Sequence, residues 1–411
     1  MAYKALWLTA LALGLTRAGG AAAAPAGGDF QSDVTLMQRH TPVIVLSDPA
    51  GRARVAVAPA YEGRVMTSTA GGPGGDSFGW INRALIASGR TGPHINAYGG
   101  EDRIWFGPEG GQFGLFFPPG APFDFAHWQT PAPVDTQPWP VTVRTRGSLT
   151  FAKTLTLTNH SGTRFRVRVR RTVRLLTPGD VRRVLGAAPP PAVRAVGYET
   201  DNRMTNAGRA PWRPRTGLLS IWILGQYIPS PVGAIVIPFR PGPVATMGKI
   251  VNDAYFGKVP GGRLRIDAAR GVLFFKDDGK KRGKIGIGPR RVKDTLGSYD
   301  PARQVLTVVR FGLPPGPARY VNSMWEIQRD PYGGDVANAY NDGPLATGGH
   351  LGPFYELESS SPSGALSPGR SLEHRRATIH LQGPPAALDP LAVRLLGVHL
   401  ADVTQAFSTG E

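Results

Sequence analysis

Two short segments of the 411-residue chain concentrate side chains able to do proton and hydroxyl chemistry. One reads Leu351-Gly352-Pro353-Phe354-Tyr355-Glu356-Leu357-Glu358-Ser359. Alternate side chains of a strand share a face, so Glu356 and Glu358 stand about 6.5–7 Å apart on one wall while Tyr355 and Leu357 face the other way. Two crowded carboxyl groups resist ionising together, and the raised acid suits proton transfer at a sugar oxygen. A solvated strand face would carry the same pattern. The other segment runs from Gly92 to Phe117 and holds His94, Glu101, Asp102, Arg103, Trp105 and Glu109 among many glycines. An indole face stacks on a sugar ring, and carboxylate and guanidinium groups bind hydroxyls. Glycine lets a ligand approach the backbone. The alternative is a tight loop in which Asp102 and Arg103 only hold turns.

A third segment, from Asp330 to Gly343, offers Asn341 and Asp342 in oxygen-rich company. Its spacing is not that of an EF-hand, so it reads as a loop of self-bonded turns or as a lining of the sugar cleft rather than as a calcium site. Arg164, Arg166, Arg168 and Arg170 share one strand face opposite Phe165, Val167 and Val169. The row could grip an acidic polymer, but it reads first as a solvated face. No P-loop, G-x-S-x-G or H-E-x-x-H motif occurs. The eight histidines are scattered, so neither a metal nor a cofactor is expected.

Short elements must position these residues. A chain with 54 Gly and 39 Pro cannot form a long helical bundle, yet 41% hydrophobic residues suffice for a packed core. Strands are predicted at 43–46, 54–58, 150–158, 164–170, 218–224, 233–239, 263–266, 272–276, 305–311, 320–327, 354–359 and 376–381. Helical patterns fall at 30–39 with Ser32 as cap, at 77–87, and from Pro390 to about Val403. The run Asp277 to Arg282 reads as a charged hairpin turn. No linker divides the chain, so residues 27–411 are expected to form a single all-β domain.

Residues 1–26 read as a secretory signal. Lys4 precedes the apolar run Ala5 to Leu15, and Ala24-Pro25-Ala26 is a small-residue cleavage pattern. The run is short for a bilayer, and no later stretch reaches eighteen apolar residues. An uncleaved N-terminal anchor is the alternative to a periplasmic or secreted protein. The absence of Cys excludes disulfides, thiolate metal sites, Cys catalysis and a lipoprotein anchor. The net charge of +18 would suit a polyanionic partner. Of the 47 cations, however, 38 are Arg, in a chain also rich in Ala, Gly and Pro. That pattern reads as codon composition, and no nucleic-acid partner is expected.

Three islands resemble the galactose mutarotase-like superfamily, best known for the aldose 1-epimerases. Val57-Ala58-Pro59 with Gly63-Arg64-Val65 is similar to its opening strand pair. Gly99-Gly100-Glu101-Asp102-Arg103-Ile104-Trp105 with Pro108-Glu109 resembles its Gly-Gly segment before an aromatic strand. Phe354 to Ser359, then Leu366-Ser367-Pro368-Gly369 and His374, resembles its C-terminal stretch. Within the superfamily the chain looks closest to exported bacterial proteins of unassigned function. The resemblance implies a β-supersandwich of large antiparallel sheets with a mono- or oligosaccharide in a cleft. It also implies a mechanism in which a Glu removes the anomeric hydroxyl proton and a His protonates the ring oxygen. Glu358 matches the base, and Glu356 could substitute. For the acid, His94 is the first candidate and His127 the second. Leu157-Thr158-Asn159-His160-Ser161 copies a sugar-contacting motif but falls at a hairpin turn.

The residues expected to serve a site are therefore Glu358, Glu356 and His94 for catalysis. Asp102, Arg103, Trp105, Glu109, Arg64, Asn341 and Asp342 are expected to bind substrate. Three functions stay open: an epimerase-like enzyme, a non-catalytic glycan-binding module, and a basic envelope protein holding acidic polysaccharide.

Overall fold

The computed structural model describes residues 28–344 and 349–408. The signal expected over residues 1–26 lies outside the described residues. The chain is all-β in its framework, with a few short helices. Every strand pair is antiparallel, as expected where successive strands are joined by short turns.

Three sheets carry the fold. The longest has ten strands, in the order Leu264–Asp267, Val272–Lys276, Ala234–Pro238, Thr295–Asp300, Val305–Phe311, Ser371–Gln382, Arg194–Asn206, Arg164–Leu175, Ser148–Thr158 and Val141–Arg144. The second has five: Gly283–Ile287, Ala337–Asn341, Tyr355–Ser360, Ser220–Tyr227 and Arg103–Gly107. The third has three: Ile44–Ser47, Arg54–Ala58 and Arg64–Thr69.

Alternation explains how the two large sheets meet. In Arg164–Leu175 the four arginines from Arg164 to Arg170 are exposed, and Phe165, Val167 and Val169 are buried. Those apolar side chains join Ile221 and Ile223 of the five-stranded sheet in one cluster. A second cluster packs Ile285, Ala339 and Leu357 of that sheet against Ile235, Leu273, Phe275 and Val309 of the long one. The result is a face-to-face sandwich with a largely apolar interior. On its outer side the long sheet is partly covered by the helix Pro385–Leu396, whose Leu388, Leu391 and Leu396 pack on Val236, Leu306 and Ile379.

Several elements depart from expectation, each for a local reason. The first helix, Phe30–Gln38, is capped by Asp29, whose Oδ1 accepts from the Ser32 amide at 2.9 Å. Only Arg83–Ser88 of the second helical pattern is helical, because Gly79 and Ile81 are drawn into bridges with Tyr227 and Gly99. The C-terminal helix begins at Pro385 and stops at Gly397, in a left-handed conformation, before a second helix Leu400–Gln405. Residues 320–327 form no strand. There Asn322 and Gln328 side chains bond local backbone groups, which competes with a ladder. Conversely, Ala337–Asn341 is a strand inside the supposed loop, since Ala337 and Ala339 pack between the sheets. The turn after Lys276 carries the chain from the long sheet to the five-stranded one, so it is a crossover rather than a hairpin.

Candidate functional site

The side of the five-stranded sheet turned away from the sandwich interior is polar and aromatic, and its register is the origin of the site. Lys284, Tyr340, Glu356 and Gln226 stand opposite one another across four strands. The next row is Gly286, Asn338, Glu358, Leu224 and Arg103. A third row pairs Ser360, Trp222 and Trp105. Since the strand period is two, all these side chains share one face, and residues between them point into the sandwich.

A cavity of about 270 Å³ lies over this face. Its size is at the small end of ligand pockets. Arg103, Trp105, Trp222, Gln226, Lys284 and Glu356 contribute to its lining from the strands. Loops complete it with Glu109, Trp128, Phe256, Trp325 and Asp342, among others. The four indoles form a connected wall. Trp105 meets Trp222 edge-on at 5.4 Å, and Trp128 stacks on Trp325 at 5.9 Å. Phe116 lies against Trp105, Trp128 and Trp222 and joins the two pairs. Asp342 is held by the amide of Gly352 at 2.9 Å and by the Tyr340 hydroxyl. Gly352 backs onto Trp80, where a Cβ would lie 2.1 Å from the indole, so the position admits no larger residue without displacement.

Two ion pairs sit at the floor. Lys284 Nζ donates to Glu358 Oε2 at 3.0 Å, and Trp222 Nε1 donates to the same oxygen at 2.9 Å. Arg103 Nη2 donates to Glu356 Oε1 at 2.7 Å, with the guanidinium 4.1 Å over the Trp105 ring. Burial pushes the Glu356 carboxyl up to about 7; Arg103 opposes the shift and Glu358 adds to it. Burial likewise raises Glu109, whose Oε1 accepts from Trp128 Nε1 at 3.0 Å. Burial would lower Lys284, but Glu358, Glu109 and Glu356 together outweigh it and hold the ammonium above its ordinary value. The same desolvation lowers Arg103, against the pull of Glu356, and the guanidinium keeps its charge.

Several buried polar atoms of the lining have no hydrogen-bond partner among the described residues: Arg103 Nε and Nη1, Trp105 Nε1, Arg282 Nε, and both ends of the Gln226 amide. Buried polar groups are nearly always satisfied. Donors and acceptors of this kind, gathered beside aromatic faces, fit a ligand rich in hydroxyls. A more open groove of about 460 Å³ passes Asn96, Thr130 and Thr158. Asp135 is its one titratable lining residue among those described.

Of the ten residues singled out in the sequence, Glu356, Arg103, Trp105, Glu109 and Asp342 line this cavity. Glu358 shares their sheet face but lies beneath the lining, fully buried and held by Lys284 and Trp222. The other four do not reach it. Asp102 immediately precedes Arg103 and therefore points to the opposite face, where it pairs with Arg171 at 2.6 Å. Arg64 is buried against Glu62 at 2.8 Å and the Gly99 carbonyl at 2.9 Å. Asn341 secures the crossover turn through the Gly279 amide and the Lys281 carbonyl. His94 binds the Trp128 carbonyl through Nδ1 at 2.6 Å and packs on Phe125, behind the indole wall. Of the other histidines considered, His127 pairs with Asp124 and His160 sits in its turn with Nε2 on the Ala121 carbonyl.

Sequence reasoning missed Lys284, Trp222 and Gln226. Trp222 falls in the predicted strand 218–224, and Gln226 lies just beyond its end on the same face, which was a usable signal. Lys284 closes a run of cations, Lys280-Lys281-Arg282, and only the alternation of Ile285 and Ile287 after it signalled a strand.

The fold and the site together define an antiparallel β-sandwich with an aromatic, acid-bearing cleft on one sheet face. The chain belongs to a family of unknown function, DUF6786, whose model matches residues 28–407. No curated protein matches the sequence. Among solved structures, it is similar to the Slr1438 protein from Synechocystis sp. PCC 6803, at 13% identity over 84% of this chain and 96% of that one, with a TM-score of 0.48. It is also similar to a galactose mutarotase-like protein from Lactobacillus casei, at 10% identity over 83% and 100%, TM-score 0.45. A galactose mutarotase related enzyme from Lactobacillus acidophilus matches at 8% identity over 84% and 97%, TM-score 0.44.

The Lys284–Glu358 pair gives a direct test of the floor. Lys284→Met should cost roughly 3–5 kcal/mol, because it leaves Glu358 buried without its cation. Adding Glu358→Gln should recover most of that loss. Urea unfolding of the two variants checks both; a single variant as stable as the parent contradicts the pairing.

Proposed function

We propose that the protein binds a carbohydrate in this cleft and exchanges protons with it at the anomeric centre. The observation that carries the reading is Glu356, a desolvated carboxyl raised to about 7 in a cavity walled by four tryptophans. A group that titrates near neutrality can both take and return a proton at working pH. Indoles supply flat apolar faces for a sugar ring, and the unpartnered atoms of Arg103, Trp105 and Gln226 meet its hydroxyls.

On this reading Glu356 accepts the proton of the anomeric hydroxyl. The C1–O bond to the ring oxygen breaks as the C1 carbonyl forms, and the ring oxygen takes a proton. Glu109 lines the same cavity with a carboxyl that burial also raises, and it supplies that proton. Reclosure after rotation about C1–C2 reverses each transfer and returns both carboxyl groups to their starting forms. Arg103 positions Glu356, and Lys284 fixes Glu358 beneath it.

A second reading, binding without turnover, is favoured by Glu358. Its Oε2 is locked between Lys284 and Trp222, so it is not presented to a ligand as a free base. The leader expected at the N-terminus extends either reading to a periplasmic or secreted protein. N-terminal sequencing of the protein from a bacterial periplasm tests this, and an intact Met1 terminus would count against cleavage.

Polarimetry of freshly dissolved aldose and uronic acid anomers separates the two readings. Turnover predicts decay faster than buffer, with a rate that rises through about pH 7 as Glu356 loses its proton. Glu356→Gln should slow it roughly a hundredfold while leaving binding intact. Trp105→Ala should weaken binding itself. Decay at the buffer rate with retained binding would establish the second reading.

A further inference from the structure

The charged groups of the cleft do not pair off. Its lining holds three cations, Arg103, Arg282 and Lys284, and three carboxyl groups, Glu109, Glu356 and Asp342. Lys284 is taken by Glu358 beneath the floor. Asp342 is held by the Tyr340 hydroxyl and the Gly352 amide, and Glu109 by the Trp128 indole. Arg103 gives one nitrogen to Glu356 and leaves Nε and Nη1 buried and unpartnered.

Arg282 has no carboxylate within ion-pair distance among the described residues. It is half-buried, its guanidinium lies 3.9 Å over the Phe256 ring, and its Nε is buried without a partner. Burial also biases Glu356 and Glu109 toward their neutral forms. Protonation of Glu356 below about pH 7 then leaves both guanidinium groups, Arg103 and Arg282, without an ionised partner within ion-pair distance among the described residues.

We propose, on the carbohydrate reading above, that the cleft selects an acidic sugar, whose carboxylate is received by the guanidinium N–H groups that Arg282 and Arg103 leave unpartnered. A neutral sugar could accept those hydrogen bonds but would leave the Arg282 charge uncompensated in a partly desolvated place. A carboxylate supplies both the acceptors and the charge, in the planar geometry a guanidinium matches. The net charge of +18 acts in the same direction, raising the local concentration of anionic sugars.

Calorimetric titration of the full chain in mildly acidic buffer tests this with five probes: D-galacturonate, D-glucuronate, D-galactose, D-glucose and D-glucose 6-phosphate. The uronates should bind at least roughly tenfold more tightly than their neutral counterparts. Arg282→Gln should bring that ratio toward one, and Arg282→Lys should keep part of it. Equal affinity for uronate and neutral sugar, or a ratio unchanged in Arg282→Gln, overturns the inference and leaves the carbohydrate reading standing. Tighter binding of the phosphosugar than of the uronates overturns the choice of carboxylate. Binding of none of the five overturns the carbohydrate reading as well.

Discussion

The site depends on one constraint, the two-residue pleat of the strand Tyr355–Ser360. Tyr355 and Leu357 are committed to the sandwich interior, so Glu356 and Glu358 must share the other face. Neighbouring strands fix who meets them. Lys284 arrives from one edge of the sheet and Arg103 from the other, each in time to neutralise one carboxyl group. A shift of register by one residue in any of these strands would send its polar side chains into the apolar clusters. Packing on the inner face is therefore what holds these polar side chains on the outer one.

The interior that enforces this register is not purely apolar. Arg376 of the long sheet reaches across the sandwich, and its Nη1 donates to the carbonyls of Leu357 and Ile223 at 2.8 and 3.1 Å. Asp102 takes Arg171 at 2.6 Å and lies 3.7 Å from Arg376. Glu101 accepts from the Ser68 amide and stands 3.0 Å from His380. Buried charges of this kind add little net stability, but removing one partner is costly. Their directional bonds also admit fewer alternative pairings than apolar packing does. Ser68 belongs to the three-stranded sheet and Arg376 to the ten-stranded one, so this network ties all three sheets near the strand that carries the site.

Much of the framework was legible in the chain. The alternation of Arg164 to Arg170 with Phe165, Val167 and Val169 states both the strand and its wet face. The Glu356/Glu358 spacing states a shared wall. What stayed hidden was long-range. Lys284 and Glu358 are 74 positions apart, and only the sheet order makes them neighbours. Asp102 and Arg103 looked equivalent as a charged pair, yet alternation sends them to opposite faces. His94 looked close to the site along the chain, but it ends behind the indole wall. The strand Ala337–Asn341 was obscured because Gly, Asn and Asp around it are the residues of turns, and tertiary packing of two alanines outweighed that signal.

The central claim is that desolvation on this sheet face holds one carboxyl group ready to exchange a proton near neutral pH. An isotope-edited NMR titration of the glutamate carboxyl carbons, with Glu356 assigned by its loss in Glu356→Gln, measures this directly. The account predicts a midpoint near 7 for Glu356. A midpoint at the ordinary 4.5 would contradict it, because the group would then be solvated and without the proton affinity the cleft is argued to confer.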